Sequence, residues 1–272
     1  TVGGIMKNLF YRLIIFLDTA QENDTNYNIA WFMANNFYRI ADMRISELAS
    51  ECFVSPATIS RFCKDLNCKN FASFKHEMAI SLEIARDEIH VDPHDYTEII
   101  KQPQYLVDKM YQETIASLQL VHQSINIHSI DQICHMIYNA KKVHMIGYQF
   151  NKIISNDFQM KMLKLKKFVY AFVERGDEIQ RLDMIDEDSL VIIITVRARK
   201  QFMAPLLEKI HEHNPQILLI TMNKEFQNDL IDFTYCIDGT ESDYTESSMQ
   251  GTINFLSLLN LIYVRYGLLY RK

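Results

Sequence analysis

The amino-acid sequence predicts two domains of different class: an all-α domain over residues 1–85 and, beyond a linker over 86–104, a three-layer α/β domain over 105–272 with a five-stranded parallel sheet. Three observations carry this. Early in the chain, apolar residues recur at helical spacing behind helix-start residues. From residue 143 onward, short β-branched runs alternate with helical segments. Between these regions the chain turns charged and carries Pro93 and Pro103 with little apolar periodicity. A chain of 272 residues, 48% hydrophobic, is long enough to bury two cores.

In the first domain, residues 28–37 (NIAWFMANNF) show a helical apolar pattern, and Ser46 is placed to cap a short helix through Glu47, Leu48 and Ala49. Ser55-Pro56 is the strongest local signal, because serine suits the N-cap and proline the first helical position. The helix that follows, expected over 56–66, carries Ile59, Phe62, Cys63 and Leu66 at i, i+3, i+4 and i+7, one inward stripe. Its other face displays Ala57, Thr58, Ser60, Arg61 and Lys64, the small, hydroxyl and basic residues that a helix lying in a DNA major groove needs. Ala49 supplies the small residue at which two helices can cross behind a tight turn.

The net charge of −6 argues at first against a nucleic-acid partner. Residues 1–86 are balanced, however, and the acidity belongs to 87–272. Within 55–75, Arg61, Lys64, Lys69 and Lys75 face only Asp65, which makes a local basic patch.

Residues 45–49 (ISELA), 54–66 (VSPATISRFCKDL) and 71–75 (FASFK) together resemble the signature of RpiR-type transcription regulators. The resemblance implies a helix-turn-helix in which Ser55, Ala57, Thr58, Ser60, Arg61, Lys64 and Lys69 contact a double-stranded operator, bound by a homodimer or homotetramer. The sequence departs where the family has glycine: Phe53 stands in the inter-helix turn and Asn67 follows Leu66. Asparagine tolerates a left-handed backbone, whereas Phe53 would be strained there by about 1 kcal/mol or more. Either the turn is remodelled or Phe53 packs into the core.

The second domain opens with a helix marked by Tyr105, Leu106, Met110, Ile115, Leu118 and Val121. Strands are expected over 143–147, 168–173, 190–196, 216–221 and 233–237, and helices over 151–165, 200–213 and 248–269. Strands apolar on both faces and separated by helices imply a parallel sheet covered on two sides, with ligands beyond the carboxyl ends of the strands.

This region is similar to the SIS fold, the phosphosugar-binding module that RpiR regulators carry. The similarity places candidate ligand residues at Gly147, Asn151, Thr195, Arg197, Arg199, Lys200, Thr221, Asn223 and Glu246. Two turns depart from it. Gly147-Tyr148-Gln149-Phe150-Asn151 keeps only the first glycine of the expected glycine-rich turn, and Thr195-Val196-Arg197-Ala198 replaces a Ser-x-Ser-Gly turn. Hydroxyls and bare amides normally cradle phosphate at such a helix start. Arg197 would project into that space, or, with Arg199 and Lys200, pair directly with the phosphate. Three readings stay open: a phosphosugar site, a site for another anion, and an occluded domain that only dimerises.

Other candidates are bland. His211 and His213 sit at a helix end, Lys161, Lys164, Lys166 and Lys167 read as a solvated face, and Glu246 suits a helix start. Cys52, Cys63, Cys68, Cys134 and Cys236 are odd in number and form no CxxC pair, so neither a disulfide framework nor a zinc site is expected, and no cofactor. Uninterrupted apolar runs fall well short of the roughly 20 residues that cross a bilayer, and no cleavage pattern follows the apolar run 13–17. A cytoplasmic regulator without a membrane partner is the expectation. The rival is an aldose-ketose phosphate isomerase, which would need a positioned base and a secured phosphate. A scaffold that has lost both activities is the third reading.

Overall fold

The structure is a computed structural model and describes residues 9–22, 24–88, 93–147, 150–171, 182, 184–240 and 249–271. The chain divides into two compact units, Gly3–Ile89 and His90–Lys272.

The first unit runs α1 (Leu9–Thr19), α2 (Thr25–Asn35), α3 (Phe37–Ile40), α4 (Ile45–Glu51), α5 (Pro56–Asp65) and α6 (Phe71–Glu88). Its core gathers Leu9 and Leu13 of α1, Ile29 and Met33 of α2, Leu48 and Ala49 of α4, the α5 stripe and Phe74 and Met78 of α6. The short apolar run near the N-terminus is therefore a core helix. It reaches α5 through an edge-on contact of Phe16 with Phe62, ring centroids 5.1 Å apart. Helix α4 begins two residues earlier than expected. Arg44 is its N-cap, Glu47 accepts the Arg44 backbone N–H at 2.8 Å, and Ser46 lies exposed inside the helix without capping it.

The second unit runs α7 (Pro93–Lys101), α8 (Gln104–Ser124), α9 (Ile127–Asn139), β1 (Lys142–Gly147), α10 (Phe150–Lys164), β2 (Val169–Ala171), β3 (Ser189–Thr195), α11 (Lys200–His211), β4 (Gln216–Thr221), β5 (Phe233–Cys236) and α12 (Met249–Tyr270). All five strands are parallel, in the order β2-β1-β3-β4-β5. In β3, Leu190 to Ile194 are all buried, because helices cover both faces. One face packs Val143, Met145, Ile192 and Ile220 with residues of α9, α10 and α12.

The structure departs from the sequence reading at one further place and adds to it at two. Residues 86–104 are not without helix: α6 runs on to Glu88, and α7 starts at Pro93, where proline suits the first helical turn. Asp95 of α7 accepts from the Tyr105 hydroxyl at 2.8 Å and pairs with Lys109, tying α7 to α8. Helix α9 went unread, although Ile130, Ile133, Cys134 and Ile137 form its buried stripe and Asn126 caps it by accepting from the His128 amide at 2.9 Å. Finally, Gly251–Tyr270 of α12 is by length and composition apolar enough to cross a membrane, as reading uninterrupted runs alone could not show. Phe255, Leu258, Leu259 and Ile262 of that helix are buried in the core of this unit, and Asn254 donates to Ser117 at 2.6 Å.

Candidate nucleic-acid interface and anion site

Helix α4 ends in a Schellman turn: the Phe53 amide donates to the Ser50 carbonyl (3.1 Å) and the Val54 amide to the Ala49 carbonyl (2.9 Å). Phe53 takes the left-handed position at φ 55° and is 96% exposed. The turn is thus neither remodelled nor relieved by burial. The ring instead lines a groove of 620 Å³ with Trp31, Phe32 and Val54.

Ser55 then caps α5, its Oγ accepting from the Thr58 amide at 3.1 Å and lying 2.9 Å from the Thr58 hydroxyl. Ile59, Phe62, Cys63 and Leu66 are buried beneath. Ser55, Ala57, Arg61, Lys64 and Lys69 are exposed, and Thr58 and Ser60 half-buried. Burial pushes the Cys63 thiol up to about 12 and the Cys68 thiol up to about 11, as core cysteines should behave. A second Schellman turn ends α5, with Asn67 at φ 59°, its amide on the Lys64 carbonyl (2.8 Å) and the Cys68 amide on the Cys63 carbonyl (2.8 Å). Lys75 leaves the expected basic patch. Its ammonium donates to the carbonyls of Ala41 (3.1 Å) and Met43 (3.2 Å), which steadies the approach to α4.

At the carboxyl edge of the sheet, the strand order reverses between β1 and β3, the place where open α/β sheets form a ligand crevice. Gly147 ends β1 against α10: a Cβ there would lie 2.8 Å from the Asn151 carbonyl oxygen and 2.9 Å from Ser155 Oγ, so no larger residue fits. Asn151 is half-buried, and its carbonyl accepts from the Ser155 hydroxyl at 2.7 Å. After β3, Thr195 Oγ1 accepts from the Ala198 amide at 3.3 Å, and Ala198 adopts φ 44° while almost fully buried. Alanine therefore keeps the left-handed turn for which the family has glycine. Arg199 is the N-cap of α11 and caps it with no side-chain hydrogen bond; Arg197 and Lys200 are exposed beside it.

Thr221 and Asn223 lash this turn down. Thr221 is fully buried, its hydroxyl donating to the Val196 carbonyl (3.0 Å) and accepting from the Asn223 amide (3.1 Å), while the Asn223 side chain donates to the Arg197 carbonyl (2.7 Å). The structure thus joins Thr195, Arg197, Arg199, Lys200, Thr221 and Asn223 in one turn, with Gly147 and Asn151 on the neighbouring strand and helix. Glu246, Tyr148 and Gln149 lie outside the described residues. Val196 and Ala198, whose backbone shapes the turn, were not singled out by the sequence, since no side-chain chemistry marks them. The lysine run is only partly a solvated face: Lys161 donates to Asp157 and Asn260 (2.5 Å each), and Lys167 to the Ala140 carbonyl (2.5 Å).

Comparison with known proteins separates along the same two units. The helix-turn-helix domain of the rpiR family matches residues 17–85, and the SIS domain matches residues 136–261. An uncharacterized HTH-type transcriptional regulator of Clostridium perfringens is 20% identical over 223 residues, 80% of this chain and 78% of its own length. The HTH-type transcriptional regulator HexR of Pseudomonas aeruginosa is 22% identical over 225 residues, 79% of this chain and 74% of its own. Among solved structures, Vibrio vulnificus NanR complexed with ManNAc-6P is similar in fold, with a TM-score of 0.53 at 15% identity, covering 97% of this chain and 92% of that one. A putative sugar-phosphate isomerase of Listeria monocytogenes shares the fold of the second unit, with a TM-score of 0.53 at 10% identity over 66% of this chain and 93% of its own. Both domain matches fall in the order of the two units, and the chain belongs to the rpiR family of helix-turn-helix transcriptional regulators that carry a SIS domain.

Proposed function

We propose that this regulator binds a palindromic duplex operator as a homodimer or homotetramer, reading bases with the outer face of α5. The observation that carries the reading is that Ala57, Arg61 and Lys64 stand exposed on a helix whose opposite face is buried, with Ser55 exposed at its N-cap and Lys69 exposed just beyond its end. Thr58 and Ser60 complete the reading face, and the domain limits are residues 1–85 for DNA binding and 105–272 for the effector domain. Two half-sites need two reading helices. Exposed Val107, Tyr111 and Ile115 on one stripe of α8 supply apolar surface for self-association. The setting is the cytoplasm, and the controlled genes are those of sugar metabolism.

The effector is a phosphorylated sugar held at the Arg197 to Lys200 turn, with Arg197, Arg199 and Lys200 pairing with the phosphate in place of a hydroxyl cradle. Supporting this are the basic turn at the start of α11 and the sugar phosphate bound to the Vibrio vulnificus NanR. The proposal is one of binding, in which the named side chains of the turn, Arg197, Arg199 and Lys200, are all cationic.

Selection of duplexes from a random pool by the full chain tests the DNA reading. A recurrent palindrome is expected. Arg61→Ala should then cost about 1–3 kcal/mol on the selected duplex and relax one position, whereas Lys64→Ala should weaken all duplexes alike and lower the salt slope by about 1. Failure to enrich any sequence contradicts the reading.

A further inference from the structure

We propose that Arg12 is a positioning residue for the reading helix: α1 lays its guanidinium on the end of α5 and thereby fixes the direction in which α5 points. The proposal rests on α5 being the DNA-reading helix, and it assigns a role to a residue that precedes the matched rpiR helix-turn-helix domain, which begins at residue 17.

The Arg12 side chain is 9% exposed, and its donors reach three places. Nη1 donates to the carbonyl of Leu66, the C-cap of α5, and to Cys68 Sγ at 3.7 Å. Nη2 donates to Glu77 on α6, whose other carboxylate oxygen accepts from the Ser73 hydroxyl at 3.2 Å. One buried side chain thus joins α1, the end of α5 and α6. The Schellman turn engages the carbonyls of Cys63 and Lys64, and Arg12 takes the carbonyl of the C-cap Leu66, two residues further on, at the negative end of the helix dipole. One helical turn further along α1, Phe16 meets Phe62 edge-on. Helix α1 therefore grips α5 at two points, one electrostatic and one apolar. Helix α5 has only 10 residues, so a small tilt moves Thr58 and Arg61 beyond the roughly 0.5 Å within which a recognition group must be held.

The test uses the full chain and the double variant Arg12→Met/Glu77→Gln, which removes both charges together and leaves neither buried alone. Two quantities are read well below the melting temperature. Amide hydrogen exchange over residues 62–68 is expected to quicken about tenfold as the held end loosens. The ratio of Kd values for a base-shuffled and a wild-type-selected duplex is expected to fall about tenfold, with affinity for the shuffled duplex within about twofold, because phosphate contacts carry no sequence information. A folded variant in which either quantity is unchanged overturns the proposal. If the variant does not fold, the wild-type protein decides by NMR: separate, slowly exchanging Arg12 Nη protons with cross-peaks to residues 66–68 are expected, and averaged, rapidly exchanging ones overturn it. Arg61→Ala is the control. Loss of discrimination in Arg61→Ala but not in the double variant removes Arg12 alone, whereas a wild type that selects no sequence removes the DNA reading and the role of Arg12 with it.

Discussion

Phe53 bears a backbone cost that its side chain does not offset. A non-glycine residue at φ 55° is strained by about 1–2 kcal/mol, and a ring that is 96% exposed buries little in return. Glycine loses about 0.5–1 kcal/mol of backbone entropy in exchange. Phe53→Gly is therefore expected to stabilise the first unit by up to about 1 kcal/mol, seen as a higher denaturation midpoint at an unchanged slope. A lower midpoint would mean that the ring is held in the groove beside Trp31 by more than surface contact. His144 makes a different residue-scale case. It is fully buried on β1 and stacks on Tyr170, centroids 4.9 Å apart. Burial first, and the Lys142 charge second, push its pKa from 6.5 down to about 4, against the opposing pull of Asp186. As pH falls, the unfolded chain takes up this proton near 6.5 while the folded one stays neutral to about 4, so stability is lost across that window. The loss is of the order of 3 kcal/mol, and nothing is lost above the window. In His144→Phe, which keeps a stacked ring, the difference from wild type in unfolding free energy should narrow or reverse in the variant's favour between pH 7 and pH 4.5; a difference independent of pH contradicts the assignment.

At the scale of elements, helix ends are where this glycine-poor chain makes unusual choices. Phe53, Asn67 and Lys166 each take the left-handed position behind a helix, and Ala198 takes it before one. Helix α5 was legible because N-cap, proline and apolar stripe all fall within a dozen residues and agree. Helix α7 was not, because its few apolar residues sit among charges and its first residue is a proline. The role of Lys75 was equally hidden, since a lysine that seals two backbone carbonyls looks in sequence like any other basic residue. The α11 turn was half legible: its position beyond β3 followed from the strand pattern, but the cross-links from Thr221 and Asn223 depend on β4 lying beside β3. This turn carries an element-scale expectation. A sugar phosphate at a hundredfold excess over its Kd should raise wild-type stability by about 2.7 kcal/mol. Arg199→Ala/Lys200→Ala should abolish that gain without changing the melting temperature of the free protein by more than a few degrees. A panel of phosphorylated sugars that leaves wild type unmoved would favour a domain that only associates.

For the whole molecule, the division into an all-α unit and a parallel α/β unit was readable because the two parts use different periodicities, near 3.6 and in continuous apolar runs. Their charge difference was also readable, and it matters for function: the acidic balance belongs to the second part, so overall net charge does not oppose DNA binding by the first. A homodimer or homotetramer was expected from the sequence, but the surface proposed for it was not readable, because α8 looks in sequence like a docking helix, and only the fold shows Val107, Tyr111 and Ile115 left at the surface. The central claim is that the outer face of α5 meets base edges, and photocrosslinking tests it most directly. With p-benzoylphenylalanine in place of Ala57, irradiation of the full chain on its selected duplex should yield an adduct at a base within each half-site. The same probe in place of His76, on α6, should yield none. Adducts from position 76 and none from position 57 would contradict the account.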